Sequence, residues 1–241
     1  KVFSSIKEEY SAFLNAQGVV PTSFIPVAAL HGANIASRSR DTAWYKGPTV
    51  LEQLDTFTNK KPALDLPFRF PVQDIYKFTE EDDDRRIAAG TVDSGRVKVG
   101  DEVVFLPSFK KTHITSVERF NAPASEKAQA GEAVGFTFST QVYIKPGELM
   151  VRTADVQPKV STRLRANIFW MGRAALIKGK TYKLKLAAAR VQAKLVDVVR
   201  VLDAAELETS QDKKQVERHD VAEVILETVK PVAFDLITDN E

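Results

Sequence analysis

The side chains of this 241-residue chain that could carry acid–base or metal chemistry are three histidines, His31, His113 and His219, and a run of five carboxylates from Glu80 to Asp84. Histidine can serve as acid, base or metal ligand near neutral pH. Paired carboxylates can divide those roles when an apolar setting separates their pKa values. The pattern meets neither condition: the histidines stand apart, one in a loop and two in β-rich segments, and the acidic run reads as a solvated loop. The absence of cysteine excludes thiolate zinc sites, thiol nucleophiles and disulfides. The chain contains no Gly-x-x-x-x-Gly-Lys-[Ser/Thr] phosphate loop, no Gly-x-Ser-x-Gly elbow, no His-Glu-x-x-His and no dinucleotide fingerprint. On this reading there is no catalytic residue and no metal ligand to assign.

Any function must then be presented by the fold, and three stretches differ in pattern. Val2, Phe3, Ile6, Tyr10, Phe13 and Leu14 keep the three-and-four spacing of an amphipathic helix, with Gly18 as its stop. A short strand is expected over Phe24-Ile25-Pro26-Val27, at an edge or end because Pro26 cannot donate to a ladder. A loop of small and polar residues follows from His31 to Arg40. Gly47-Pro48-Thr49 then opens a second helix lined by Val50, Leu51, Leu54 and Phe57. The irregular stretch from Asn59 to Pro67 reads as a linker and boundary.

Beyond it, β-branched and polar residues alternate between glycine turns, from Arg86 to Thr91, Arg96 to Val99 and Glu102 to Leu106. Ile114, Val117 and Phe120 serve as apolar anchors in the next segment. Short strands joined by glycine turns predict a β-barrel or sandwich ending near Arg152. A second β-rich unit begins after Pro158, with strict alternation over Thr181–Leu186 and long strands over Val191–Val201 and Val221–Val229, the last ended by Pro231.

Composition fits an ordinary folded protein, with 44% hydrophobic and 27% charged residues. The formal net charge is +2, and no third of the chain departs from neutrality by more than two charges, which argues against nucleic acid or an anionic membrane as partner. The longest apolar runs, such as Ile25–Leu30, fall far short of the roughly 18 residues of a membrane helix, and no signal peptide opens the chain. A cytoplasmic location is expected. The start at Lys1 and the polar finish at Asp239-Asn240-Glu241 suggest a piece of something longer.

Two segments carry a resemblance. The stretch from Phe24 to Gly32, followed by Trp44-Tyr45-Lys46-Gly47-Pro48-Thr49-Val50-Leu51, resembles the last strand, loop and helix of the GTPase domain in the elongation-factor-Tu-like superfamily. The segment from Arg86 to Val103, with Gly90, Gly95 and Gly100, is similar to the first barrel of translation-type GTPases. Within that superfamily the closer similarity is to the GTPase subunit of bacterial sulfate adenylyltransferase, including forms fused to adenylylsulfate kinase. It rests on His31–Ser39 leading to Trp44-Tyr45, on Phe70-Pro71-Val72-Gln73-Asp74-Ile75-Tyr76-Lys77, and on Trp170-Met171, Gly179–Lys185 and Pro231–Asp235. Arg190 to Val221 departs most from that family.

The resemblance implies a mainly β chain: two consecutive translation-factor-type barrels, at 67–152 and 158–241, preceded by a small α/β remnant of a P-loop GTPase domain at 1–60. The second barrel would stop short of its final strands. It implies that Ala28, Ala29 and Leu30 touch guanine through backbone groups, with Ala28 in the place of the family's serine. GTP and magnesium belong to the parent protein, and neither is expected on this fragment, which should be inactive alone. The implied partners are the small catalytic subunit of sulfate adenylyltransferase and, in fused forms, an adenylylsulfate kinase domain, with no membrane and no nucleic acid. The implied parent reaction is ATP plus sulfate to adenylylsulfate and pyrophosphate, coupled to GTP hydrolysis. The alternative is a fragment of a translation GTPase whose barrels bind tRNA or protein.

Overall fold

Helical spacing at the start of the chain is realised as α1 (Val2–Ala16). Gly18, at φ +74°, ends it: its N–H bonds to Asn15 O at 3.0 Å, and Val19 N–H bonds to Leu14 O at 2.9 Å. The computed structural model describes residues 2–16, 18–58, 63–77, 85–202, 209–210 and 215–237; the acidic run at 80–84 lies outside them. The chain divides into two compact units, 1–61 and 62–241.

In the first unit α1 fully buries none of its residues, and Val2, Ile6 and Tyr10 are more than half exposed. Its contacts are aromatic: Phe3 lies 5.1 Å from Trp44, and Tyr10 lies 6.5 Å edge-on to Phe24. The strand expected at 24–27 does not form; within this stretch of chain only Ala28 makes a bridge, to Ala33. A strand needs a ladder partner, and none of the described residues supplies one. The second helix, α2 (Val50–Asp55), starts one step later than its proline suggested. Thr49 is the cap, closing a capping box in which Glu52 N–H donates to Thr49 Oγ1 at 3.2 Å and Thr49 N–H donates to Glu52 Oε2 at 2.8 Å. Pro48 therefore stands outside the helix, and Phe57 lies beyond its end, 63% exposed.

The second unit opens with a ring built of six of its strands: β1 (Arg69–Lys77), β2 (Arg86–Thr91), β3 (Glu102–Leu106), β4 (Lys110–Arg119), β5 (Ala133–Phe138) and β6 (Leu149–Arg152). All pairings are antiparallel, in the order β3-β6-β1-β2-β5-β4, and β4 pairs back to β3. The ring is closed, which removes the free edges that an open sheet would expose. Its interior is filled by Phe68, Phe70, Val72, Phe105, Phe136 and Met150, all inaccessible to solvent, with Phe70 and Phe136 edge-to-face at 4.8 Å. Gly95 is required at the turn after β2: its φ is +71°, and a Cβ there would lie 2.6 Å from Phe68 Cα. Phe120 is not the anchor its spacing suggested. A bulge between Ile114 and Ser116 shifts the alternation, β4 ends at Arg119, and Phe120 sits at the turn with 94% of its surface exposed.

Four long strands follow: β7 (Lys159–Phe169), β8 (Thr181–Leu186), β9 (Ala189–Leu202) and β10 (Val221–Phe234), in the order β7-β10-β9-β8. Among the described residues this sheet stays open, with β7 and β8 at its rims. Its core is Leu176, Leu195, Val201, Val216 and Val224, backed by Trp170 and Tyr182. Pro231 does not end β10, which runs on to Phe234. The register between β7 and β10 shifts between the Ser161–Val232 and Arg163–Glu227 pairs, so the proline falls in an irregularity where no ladder donor is demanded.

One buried cation ties the barrel to this sheet. Arg69, 4% exposed on β1, donates from Nε and Nη2 to the two carboxylate oxygens of Asp235, each at 2.8 Å, just past β10. Its remaining donors bond Phe68 O at 3.0 Å and Val156 O at 2.8 Å. Beside it an apolar seam joins Val104, Leu106 and Val151 to Val160 and Ala233. At Gly147 the backbone approaches the β8–β9 turn so closely that a Cβ would lie 3.2 Å from Ala189 Cα.

Breaking one partner of a buried, fully hydrogen-bonded pair leaves an uncompensated charge. Arg69→Met should therefore destabilise the second unit by about 3–5 kcal/mol. Urea titration followed through Trp170 fluorescence, with Trp44 replaced by Phe, checks this, and an unchanged midpoint would refute it. Gly95→Ala should cost about 1–3 kcal/mol in the same titration, because it adds left-handed strain to a backbone clash.

Candidate functional site

The loop after Val27 is organised by a polar side chain. Asn34 is 1% exposed and adopts φ +57°, a left-handed conformation that Asn tolerates better than most residues. Its Nδ2 donates to Pro26 O and to Thr42 Oγ1, each at 2.7 Å, and its Oδ1 accepts from Ser39 N–H at 2.9 Å. Its backbone N–H bonds Ser37 O at 3.1 Å, and its carbonyl receives the first N–H of α2, Val50, at 3.0 Å. One residue thus clamps the chain before the loop, the loop itself and the helix after it. Behind it Tyr45 donates its hydroxyl to Pro48 O at 3.0 Å, and burial pushes that phenol above its usual range.

Ala28, Ala29 and Leu30 are brought together at the exposed rim of this loop. Ala28 is extended and leads into a single 3₁₀ turn, Ala29–His31, closed by Gly32 at φ +68°. The bonds that close the turn run from His31, Gly32 and Ala33 N–H to the carbonyls of Ala28 and Ala29. None of them draws on the N–H of Ala29 or Leu30, and the Leu30 side chain is 90% exposed. The rim offers backbone donors on a fixed frame, suited to a carbonyl or ring nitrogen of a planar ligand.

A second concave feature lies on the barrel, a groove of about 510 Å³ walled by Asp74, Lys77, Arg86, Thr137, Tyr143 and Lys145. Tyr143 is 64% exposed, and Lys110 Nζ and Lys145 Nζ lie 5.2 and 5.6 Å from its ring centroid. The groove holds hydroxyls and cations, and no histidine lines it. The three histidines occupy separate places: His31 on the 3₁₀ turn, His113 exposed on β4, and His219 stacked on Phe169 at 6.4 Å. Among the described residues no group of three His, Asp or Glu side chains could hold a metal. Asn34 was the residue that sequence reasoning passed over. Its signal is the placement of Asn two residues after Gly32, in a loop that must turn back toward a capped helix.

Comparison with known proteins gives the strands their relatives. A family profile described as elongation factor Tu domain 2 matches residues 85–140, and one described as GTP-eEF1A C-terminal domain-like matches residues 163–241. Two elongation-factor domain types thus match, each over less than half of the chain. Sulfate adenylyltransferase subunit 1 of Shewanella oneidensis is 33% identical over 239 residues, covering 98% of this chain and 48% of that protein. The bifunctional enzyme NodQ of Rhizobium sp. is 35% identical over 245 residues, covering 99% of this chain and 36% of its own length. The bifunctional enzyme CysN/CysC of Mycobacterium tuberculosis is 32% identical over 240 residues, with 99% and 39% covered. The chain thus spans about half the length, or less, of these curated relatives. Among solved structures, sup35 complexed with GMPPNP superposes with a TM-score of 0.64 at 20% identity, covering 99% of this chain and 59% of that one. That likeness is one of fold alone.

Because Asn34 holds the loop by three side-chain bonds, Asn34→Ala should raise amide exchange over residues 28–42 by about tenfold or more, each lost buried bond being worth about 1 kcal/mol. Exchange mass spectrometry measures this. Unchanged protection there would show that the clamp is not what orders the loop.

Proposed function

We propose that this chain is the barrel-bearing part of the GTP-dependent subunit of a sulfate adenylyltransferase, acting in the cytoplasm on the activation of sulfate as adenylylsulfate. The single observation that carries the proposal is similarity at 31–35% identity over 98–99% of the chain to proteins named sulfate adenylyltransferase subunit 1 or its bifunctional forms. The translation-factor reading has less support, since the likeness to sup35 is a likeness of fold at 20% identity.

The residues present fit one part of a guanine nucleotide. The Ala29 and Leu30 N–H groups on the Asn34-clamped turn would face the base, and Ala28 would line its edge without the hydroxyl that the family's serine supplies. No motif of this sequence fits the phosphates or magnesium. When bound in the parent protein, GTP supplies hydrolytic free energy. That chemistry needs γ-phosphate positioning and charge stabilisation from groups outside this chain. The adenylyl transfer itself is assigned to a small catalytic partner subunit, and a kinase domain accompanies the chain in fused relatives.

Reconstitution tests this reading. The full-length polypeptide containing this segment, mixed with the small subunit, ATP, sulfate and GTP, should form adenylylsulfate in a GTP-stimulated manner. Formation that proceeds equally well without the polypeptide would overturn it. The 241-residue chain alone should release no phosphate from GTP above background. Ala29→Pro deletes one N–H at a first-turn position that proline tolerates, and in the full-length protein it should weaken GDP binding about tenfold. Unchanged affinity would remove the base contact from this loop.

A further inference from the structure

The outward face of the second sheet carries charges that its own residues do not balance. Toward its centre, Arg165 and Arg200 converge on Glu223, and Lys178 pairs with Asp197 at 2.5 Å. Toward the β8–β9 turn the pattern changes. Lys183 and Lys185 project outward from β8, while Tyr182, Leu184 and Leu186 face the other way. Arg190 and Lys194 project from β9 on the same face, with Lys185 directly opposite Arg190 and Lys183 opposite Gln192. Among the described residues none of these four cations forms an ion pair, and the nearest carboxylate in register is Glu227, opposite Lys194 on one side and Arg163 on the other.

From this arrangement we propose that the β8–β9 face docks an acidic patch on a protein partner. Like charges placed directly opposite one another on neighbouring strands are destabilising, so the sheet holds Lys185 against Arg190 at a cost that an anionic surface would relieve. Lysines on a rim strand have another use, discouraging edge-to-edge pairing. Lys194 lies where β9 is paired on both sides, opposite Thr181 and Glu227, and that use does not apply to it. The array is also stiff, because the turn between the strands is held against Gly147 of the barrel. Cations repeat at about 7 Å along a strand and about 5 Å between strands, a flat lattice that matches a carboxylate-rich protein surface. Single-stranded nucleic acid would call for aromatic platforms. The aromatic residue of β8, Tyr182, faces inward, packed edge-on against Trp170 at 5.8 Å.

The test uses the whole 241-residue chain with fluorescent poly-L-glutamate and poly(U) of equal charge, by anisotropy at matched salt. Lys185→Glu combined with Arg190→Glu should weaken poly-L-glutamate binding by about tenfold or more. The same charge reversal at Lys98 and Lys127, a cross-strand lysine pair in the short two-stranded ribbon of Arg96–Lys98 and Lys127–Gln129, should leave it within about twofold. Circular dichroism on both variants establishes that they remain folded, and should the reversal variant unfold, Lys185→Gln with Arg190→Gln replaces it. Equal losses in the two pairs, or tighter binding of poly(U) than of poly-L-glutamate, would overturn the proposal.

Discussion

A guanidinium removed from water needs partners, and each of the three nitrogens of Arg69 donates at least one hydrogen bond. Its donors are shared among the carboxylate after β10, the carbonyl of Val156 in the connection between barrel and sheet, and the carbonyl of its own neighbour Phe68. The arrangement joins Arg69 to segments 87 and 166 residues further along the sequence. With the apolar seam beside it and the tight approach at Gly147, barrel and sheet form one body, and whatever binds one side is held in register with the other. The ion pair adds directional restraint to that seam; such a pair is no bargain in net stability, since desolvating both charges offsets most of their attraction.

The first unit is held together differently. It has no large apolar core among its described residues, and its order comes from Asn34, the capping box and aromatic contacts at the surface. Polar clamping gives a loop whose backbone donors face outward on a rigid frame. The second unit offers the opposite surface: side-chain cations on a flat sheet, with the backbone consumed by ladders. The two units present different chemistry because different groups are left over once the fold is satisfied.

Much of this was legible in the residues. Glycine-punctuated alternation located the barrel because closed turns demand positive φ, as at Gly95. Helical spacing located α1. What failed has local causes. Residues 24–27 have strand composition, but composition cannot provide a ladder partner. Phe120 lost its place inside because one bulge inverted the alternation. Pro231 was read as a terminator although a register irregularity accommodates it. At the candidate loop, resemblance pointed to Ala28, Ala29 and Leu30, whose role is a proposal, whereas the bonds of Asn34 to Pro26, Ser39 and Thr42 could be seen only in the fold. The pairing of Arg69 with Asp235, 166 residues apart, was equally silent.

That separation bears on synthesis. The strand carrying Arg69 pairs first with residues 86–90, finds its second ring partner at residues 149–151, and meets its carboxylate later still, at 235. As the polypeptide leaves the ribosome, the barrel can close while its arginine still lacks its mate, and the charge arrives only once Asp235 has been made. A nascent product arrested before Asp235 would carry a cation aimed at a joint that cannot be sealed.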